Sequence, residues 1–216
     1  MIEYLLFDLD DTVYPKSSGL GEAMNSLMTD FVADYRGVST EEAAQLRKQS
    51  RDNHGTTLAW LIGDHGLTDV ESFLEAVHPA DLSGWLDDDM VRDIQNTLSQ
   101  IDLQASILTK SPGEHAERVL SRLGIRGRFD YVFDLRHNGF QGKPARAAYT
   151  RALAKIGVEA EHTLFVDDVI QYLLPFRELG GRIVHMSPSA RTPLNIPSIR
   201  TLGELASHIN PERGDR

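Results

Sequence analysis

The sequence predicts an α/β protein with a doubly wound parallel-sheet, Rossmann-like core and an inserted α-helical cap domain. Apolar runs at residues 4–7, 105–108, 163–166 and 182–185, with a weaker one at 131–133, are typical of buried parallel strands. Helical patterns over 112–123 and 145–156 separate the later strands. The segment between the first two strands is much longer than an ordinary crossover and mostly helical in pattern. We therefore expect a core formed by 1–15 and 86–216, and a cap formed by 16–85.

The ends of these elements follow from local signals. Cap helices are expected near 21–35, 40–50, 57–65 and 70–77, and a helix over 87–100 returns the chain to the core. Gly124 and Gly157 follow two core helices, where a glycine commonly ends a helix. The polar tail at 210–216 is expected to fray.

Composition excludes several classes of function. The net charge of −10 and the pI near 5.2 argue against nucleic acid or an anionic membrane as a partner. The absence of cysteine excludes disulfides, thiolate metal sites and a cysteine nucleophile, and it is compatible with a reducing compartment. The first apolar run is too short to span a membrane and has no basic leader before it. We expect a soluble, cytoplasmic protein.

The most informative motif lies directly after the first strand, where Asp8, Asp10 and Asp11 occur within four residues. Strand alternation places Asp8 and Asp10 on one side and Asp11 on the other. Clustered carboxylates repel one another, so a cation is expected between them, and Mg2+ prefers carboxylate oxygens. A solvated turn or a helix N-cap is the alternative interpretation.

Three further positions lie at, or just beyond, the expected carboxyl ends of strands, where ligands bind in doubly wound sheets. They are Thr109, Lys143 and the pair Asp167-Asp168. Each has a structural alternative: a cap of the next helix, a solvated loop lysine, or acids at a helix N-terminus. Together with Asp8 they offer a nucleophile, a phosphate clamp and a metal site, which is the set that phosphoryl transfer needs.

These motifs, in this order along the chain, resemble those of the haloacid dehalogenase superfamily. Within it, the sequence at 8–15, the segment 55–58 and the stretch 115–125 resemble the pyrimidine 5′-nucleotidase branch. The resemblance implies that Asp8 is the nucleophile and forms an aspartyl-phosphate, while Asp10 is the general acid and base. Asp8 is then expected to be ionised and Asp10 protonated at the start.

The resemblance also implies a ligand set for Mg2+ and contacts for the phosphate. Asp8, the main-chain carbonyl of Asp10, and Asp167 would bind the metal, and Asp168 would hold metal-bound water. Lys143 would hold the phosphate and the nucleophile. Thr109 would donate a hydrogen bond to a phosphate oxygen.

The chain departs from the nucleotidase pattern at two places. Lys110 follows Thr109 where the branch usually has asparagine, and residues 169–172 read Val-Ile-Gln-Tyr where the branch usually has serine and then asparagine. Lys110 adds a cation that either tightens the binding of a more anionic substrate or points outward. Both departures affect the assignment of the substrate more than that of the chemistry.

Cap residues are expected to select the leaving group, because the core contacts mainly the phosphate common to all substrates. The candidates are His54, Thr56, Thr57 and Trp60, with Thr56 and Thr57 assigned to substrate binding. The alternatives are N-capping for the two threonines and burial in the cap core for Trp60.

The sequence therefore predicts a Mg2+-dependent phosphomonoester hydrolase, with 5′-nucleotidase activity as one candidate. Its partner would be a small phosphorylated metabolite, with nucleoside monophosphates among the candidates. Sugar phosphates or other small metabolites are the alternative substrates, and a non-catalytic protein that retains the fold is an alternative of another class. A haloacid dehalogenase needs no metal and no acid at Asp10, so Asp10 argues against dehalogenation.

Overall fold

The computed structural model describes residues 1–188 and 195–209, without the side chains of residues 51 and 52. The described residues form two compact units, one within Met1–Ser18 and Ser83–Arg216 and one of Gly19–Leu82. The expected fraying of 210–216 lies outside the described residues. Among the described helices, none combines the length and the apolar character needed to cross a bilayer.

The first unit is built on a parallel sheet of six strands. The strands are β1 (Tyr4–Phe7), β2 (Gln104–Leu108), β3 (Phe129–Phe133), β4 (Thr163–Asp167), β5 (Arg182–Met186) and β6 (Ser198–Ile199). Their order across the sheet is β3-β2-β1-β4-β5-β6, and every pair is parallel. The predicted parallel α/β fold is confirmed, with β1 between β2 and β4.

The helices of this unit precede, connect or follow these strands. They are α5 (Asp88–Ser99), α6 (Gly113–Arg122), α7 (Arg146–Ile156), α8 (Ile170–Glu178) and the short α9 (Ala206–Ile209). Gly124 and Gly157 have φ angles of 66° and 78°, which glycine adopts without steric cost. The predicted glycine stops after α6 and α7 are therefore confirmed.

One part of the core lies between the sheet and α7 and α8. Leu6, Leu108 and Phe165 from the strands pack with Tyr149 of α7 and Phe176 of α8. The rings of Tyr149, Phe165 and Phe176 lie within 5.9 Å of one another, in edge and tilted arrangements typical of aromatic clusters. This packing fixes α8 against β4, the strand that ends at Asp167.

The second unit contains α1 (Leu20–Arg36), α2 (Thr40–His54), α3 (Thr57–His65) and α4 (Val70–Val77). Helix α1 packs against α2 and α4, and α2 packs against α3. The buried guanidinium of Arg47 on α2 donates to the main-chain oxygen of Asn25, to its side-chain amide oxygen and to the hydroxyl of Thr29. These bonds satisfy a buried cation and hold α1 and α2 together.

Gly181, just before β5, is expected to be intolerant of a side chain. A Cβ at this position would overlap the ring of Phe176. Gly181→Ala should therefore lower the free energy of unfolding by about 1–3 kcal/mol, the usual cost of overpacking a core. Urea denaturation measures this change. Gly84→Ala is the matched control, because a Cβ there meets no atom within 4 Å; equal losses for the two variants would contradict the packing argument.

Candidate active site

Three buried side chains form an ion-pair cluster at the carboxyl ends of β1 and β4. Lys143 Nζ donates to Asp8 Oδ1 at 2.7 Å and to Asp167 Oδ2 at 2.6 Å. The three residues are 1%, 7% and 0% exposed. Asp8 follows β1, Asp167 ends β4, and Lys143 lies in the loop before α7. The structure therefore brings together three residues that lie far apart in the sequence, and the alternative of a solvated Lys143 is wrong.

Burial and mutual charge interactions shift the pKa values of all three residues in this cluster. Burial raises the pKa of Asp8 well above its ordinary value, and the neighbouring carboxylates add to the effect while Lys143 opposes it. Burial also raises the pKa of Asp167. Burial lowers the pKa of Lys143, but the attraction of Asp167 and Asp8 outweighs it and leaves the pKa above its ordinary value. One ammonium thus compensates two buried carboxylates only in part.

Asp168 adds a third carboxylate to the same place. Oxygens of Asp8, Asp167 and Asp168 lie within 4.8 Å of one another, a spacing that suits one cation. Burial and the charge of Asp167 raise the pKa of Asp168 to about 7. A divalent cation would relieve this repulsion, and carboxylate oxygens are the donors that Mg2+ prefers. The donor set therefore fits Mg2+.

Asp10 occupies a different environment. Its carboxylate accepts hydrogen bonds from Tyr14 Oη at 2.6 Å and Ser111 Oγ at 2.5 Å, and it contacts His115 Nε2 at 2.8 Å. Burial alone raises the pKa of Asp10, but the charge of His115 and the bonds from His115, Ser111 and Tyr14 outweigh it and hold the pKa below its ordinary value. The raised pKa of Asp8 and the lowered pKa of Asp10 are the opposite of the expectation that Asp8 is ionised and Asp10 protonated. The sequence does not show the hydrogen-bond partners that lower the pKa of Asp10.

Thr109 lies directly after β2 and is buried. Its hydroxyl oxygen accepts from the main-chain N–H of Ser111 at 3.0 Å, so it also shapes the approach to α6. The hydroxyl retains its own proton for donation. The structural alternative for Thr109 is therefore compatible with a role in binding phosphate, and that role stays a prediction.

Lys110 points back toward the site. Its Nζ donates to Tyr172 Oη at 2.9 Å and lies 4.9 Å from the centre of the Tyr172 ring. The Nζ of Lys143 lies 5.3 Å from the centre of the same ring. The alternative that Lys110 points outward is thereby excluded.

The threonines assigned to substrate binding lie in the second unit and have local partners. Thr56 is the N-cap of α3, where its hydroxyl accepts from the N–H of Ala59 at 3.0 Å. Thr57 accepts from Nε of Arg47 at 3.2 Å. Trp60 is buried. The capping of α3 by Thr56 and the core position of Trp60 are confirmed, while the assignment of Thr56 and Thr57 to a substrate stays a prediction.

Sequence reasoning gave no role to four residues that line the site: Tyr14, Ser111, His115 and Tyr172. One signal was available for Tyr14, which lies four residues after Asp10. Ser111 reaches the site from the loop before α6, His115 from α6 and Tyr172 from α8. No local sequence pattern predicts such contacts.

Ser111→Ala is expected to lower kcat by about tenfold or more, because a hydrogen bond to a charged group is worth about 1.5–3 kcal/mol. If Asp10 is the general acid and base, as the family resemblance implies, the loss should be largest for esters with poor leaving groups, which depend most on proton transfer. Steady-state kinetics on alkyl and aryl phosphates measures both effects. Ser207→Ala, at an exposed serine on α9, is the control. Equal losses for alkyl and aryl esters would contradict the proposed link to Asp10.

Comparison with known proteins places this site in a class. A sequence model described as hydrolase, haloacid dehalogenase-like hydrolase, matches residues 2–178. The chain is therefore a hydrolase, and it belongs to the haloacid dehalogenase-like family.

Individual relatives share the whole length of the chain. The glyceraldehyde 3-phosphate phosphatase of Methanocaldococcus jannaschii is 23% identical, with 98% of this chain and 100% of the relative covered. The hydrolase YfnB of Bacillus subtilis, in a crystal structure bound to magnesium, superposes with a TM-score of 0.59 at 20% identity, covering 97% and 99%. A 2-haloacid dehalogenase of Pseudomonas syringae gives 0.59 at 20% identity, covering 98% and 99%. Because structures named for different reactions share this fold, the reaction must be argued from the site.

Proposed function

We propose that the protein is a Mg2+-dependent phosphomonoester hydrolase that acts through an aspartyl-phosphate on Asp8. The observation that carries the proposal is a second acid, Asp10, which lies two residues after Asp8. Its carboxylate is held by Tyr14, Ser111 and His115. Hydrolysis of a phosphate ester needs a group that moves a proton to and from oxygen, whereas a halide leaves without a proton. The phosphatase name of the curated relative from M. jannaschii supports the same reaction.

In the first half of the reaction, a carboxylate oxygen of Asp8 attacks phosphorus. The P–O bond to the leaving group breaks as the new P–O bond forms, and Asp10 gives its proton to the departing oxygen. A bound phosphate dianion raises the pKa of Asp10 and so acts against His115, which holds that pKa low. Asp10 can then carry the proton that the leaving group needs.

In the second half, Asp10 takes a proton from water, and the water oxygen attacks the phosphorus of the aspartyl-phosphate. The bond to Asp8 breaks, inorganic phosphate is released, and the Asp8 carboxylate is restored. Strong hydrogen bonds from Ser111 and Tyr14 aim the Asp10 carboxylate throughout. Lys143 keeps Asp8 oriented and supplies positive charge for the phosphoryl oxygens.

Asp8, Asp167 and Asp168 would hold Mg2+, together with the main-chain carbonyl of Asp10. The ion supplies charge neutralisation between an anionic nucleophile and an anionic phosphate. We also propose that the inserted unit, Gly19–Leu82, acts as a cap that selects the leaving group, since it is inserted shortly after the loop that carries Asp8 and Asp10.

The substrate class proposed is a small phosphorylated metabolite. The name of the relative from M. jannaschii favours a small sugar phosphate over a nucleotide. A phosphate-release screen tests both the proposed reaction and the proposed substrate class. It covers nucleoside monophosphates, sugar phosphates and phosphorylated acids, each with and without Mg2+. We expect Mg2+-dependent release from sugar phosphates or phosphorylated acids. Halide release from 2-haloacids without any phosphate release would overturn the proposed reaction.

A further inference from the structure

A buried histidine near the end of β5 contacts the turn that follows β4. His185 is 9% exposed, and its Nε2 lies 2.9 Å from the main-chain oxygen of Asp168. A carbonyl oxygen only accepts hydrogen bonds, so Nε2 is the donor. Nε2 carries its proton both in this neutral tautomer and in the charged ring, so the bond does not depend on the titration of His185. The proposed mechanism gives His185 no role.

The register of the sheet brings His185 to this turn. Asp167 on β4 is paired with His185 on β5, and paired residues of neighbouring strands direct their side chains to the same side of the sheet. Asp167 is the last residue of β4, and Asp168 follows it directly. The rise in pKa that burial causes at Asp167 is opposed by Lys143 first and by His185 last, which also places the ring of His185 close to Asp167. The position of His185 is therefore set by the main-chain hydrogen bonds between β4 and β5.

Both polar atoms of the peptide group between Asp168 and Val169 are held by side chains. Its C=O accepts from His185, and its N–H donates to Asp167 Oδ1 at 2.7 Å. The other carboxylate oxygen of Asp167 accepts from Lys143 at 2.6 Å. Because a peptide group is planar, two hydrogen bonds on its opposite edges fix its orientation. The direction in which the main chain leaves Asp168 is thereby fixed.

The carboxylate of Asp168 needs such support, because neighbouring carboxylates repel it. Burial raises the pKa of Asp168 to about 7, and the charges of Asp167 and Asp11 add to that effect. Lys143 and a main-chain hydrogen bond act in the opposite direction without cancelling it. Oxygens of Asp168, Asp167 and Asp8 nevertheless lie within 4.8 Å of one another. A fixed peptide group directly after Asp168 resists the repulsion and keeps its carboxylate beside the others.

Packing alone does not explain a histidine at position 185. Its Nδ1 is buried and has no hydrogen-bond partner among the residues that the structure describes. A buried polar atom without a partner costs free energy, whereas an apolar side chain of similar size would fill the same space without that cost. The neighbouring positions of β5, Ile183, Val184 and Met186, are apolar and buried. The hydrogen bond from Nε2 to Asp168 is therefore the contact that an apolar residue could not make.

We propose that His185 is a positioning residue of the Mg2+ site, which sets the affinity for the ion by holding the peptide group between Asp168 and Val169. The inference rests on the proposed function, in which Asp167 and Asp168 are metal ligands. Replacing a hydrogen-bond partner that orients metal ligands typically costs about 10–100-fold in metal affinity. His185 acts in this way through the main chain of Asp168.

Two neutral polar variants separate the hydrogen bond from the rest of the side chain. Glutamine carries its amide N–H as many bonds from Cβ as histidine carries Nε2, whereas the amide of asparagine is one bond nearer and does not reach Asp168. Calorimetric titration with Mg2+ alone should show a Kd about 10–100-fold higher for His185→Asn, and a Kd closer to wild type for His185→Gln. His185→Leu, which retains bulk without a donor, replaces His185→Asn if melting curves show that His185→Asn is not folded.

The Mg2+ dependence of phosphate release gives a second readout. His185→Asn should need about 10–100-fold more Mg2+ for half-maximal activity, and its kcat should return toward the wild-type value at saturating Mg2+. A merely structural role would instead lower kcat at every Mg2+ concentration. His78→Leu is the matched control, because His78 is also buried and contacts a main-chain oxygen, that of Leu74 in the second unit. It should leave the Kd for Mg2+ unchanged.

The outcomes separate this inference from the proposed function. If wild type and both variants bind Mg2+ equally tightly, or if His185→Gln loses as much affinity as His185→Asn, the inference is wrong and the phosphatase function stands. If wild type releases phosphate from no ester while the variants differ in Mg2+ affinity as expected, the function fails and the role of His185 stands. If wild type binds no Mg2+, the inference and the Mg2+ dependence of the proposed function both fail.

Discussion

Replacing Asp8 with asparagine is expected to lower kcat for every phosphomonoester by about 10⁴-fold or more, because the residue lost is the proposed covalent nucleophile. An amide has nearly the same shape as a carboxylate but does not attack phosphorus. The folded state should tolerate the change, since burial already raises the pKa of Asp8 and disfavours its charge. Phosphate release under saturating Mg2+ measures the loss.

Trapping the phosphorylated enzyme identifies which residue is the nucleophile. Acid quenching of wild type during turnover, followed by mass spectrometry of peptides, should place a phosphoryl group on Asp8, and the Asp8→Asn protein should carry none. Asp130→Asn is the matched control, because Asp130 accepts a hydrogen bond from Tyr4 in the sheet and takes no part in the site. An Asp8→Asn protein that kept more than about a tenth of wild-type kcat would place the nucleophile elsewhere.

Lys143→Met is expected to have the second-largest effect, on stability and turnover together. Removing one partner of a buried ion pair typically costs about 3–5 kcal/mol, because the remaining charges are left uncompensated. Here two carboxylates, Asp8 and Asp167, would lose a hydrogen-bonded ammonium at 2.7 Å and 2.6 Å. Turnover should fall by about 10²-fold or more, because Asp8 loses its orientation and the phosphoryl group loses a cation. Urea denaturation and steady-state kinetics measure the two effects.

The sign of the pH dependence follows from the raised pKa values of Asp8 and Asp167. In Lys143→Met these carboxyls become neutral as the pH falls below their raised folded-state values, so the stability loss should be largest at neutral and alkaline pH and shrink toward acid. Adding Asp167→Asn to Lys143→Met should recover part of the stability and none of the activity. A stability loss independent of pH would contradict the ion-pair explanation.

The sequence was sufficient to predict the positions of Asp8, Thr109 and Asp167, because each follows or ends a short apolar run. Parallel strands bring their carboxyl ends to one edge, so identifying the strands is enough to bring these residues together. The burial of Lys143 and its two ion pairs could not be predicted, since a lone lysine before a proline carries no local sign of burial. The small elements β6 and α9 were missed because two and four residues give no measurable periodicity.

The environment of Asp10 could not be predicted in the same way. Ser111 and His115 contact it across 101 and 105 residues of chain, and such contacts depend on how α6 packs on the sheet. The pairing of Lys110 with Tyr172 across 62 residues has the same origin. Side-chain contacts between distant elements, rather than the positions of the elements, therefore mark the limit of what the sequence pattern predicts here.

The placement of β1 between β2 and β4 has a consequence for how this protein can diverge. Main-chain hydrogen bonds set neighbouring strands about 4.8 Å apart, so the spacing of Asp8, Thr109 and Asp167 is that of the sheet itself. Substitutions in the loops leave this spacing unchanged. Residues in the loops and helices around the site can therefore change in a descendant of this chain, while the distances between Asp8, Thr109 and Asp167 stay the same.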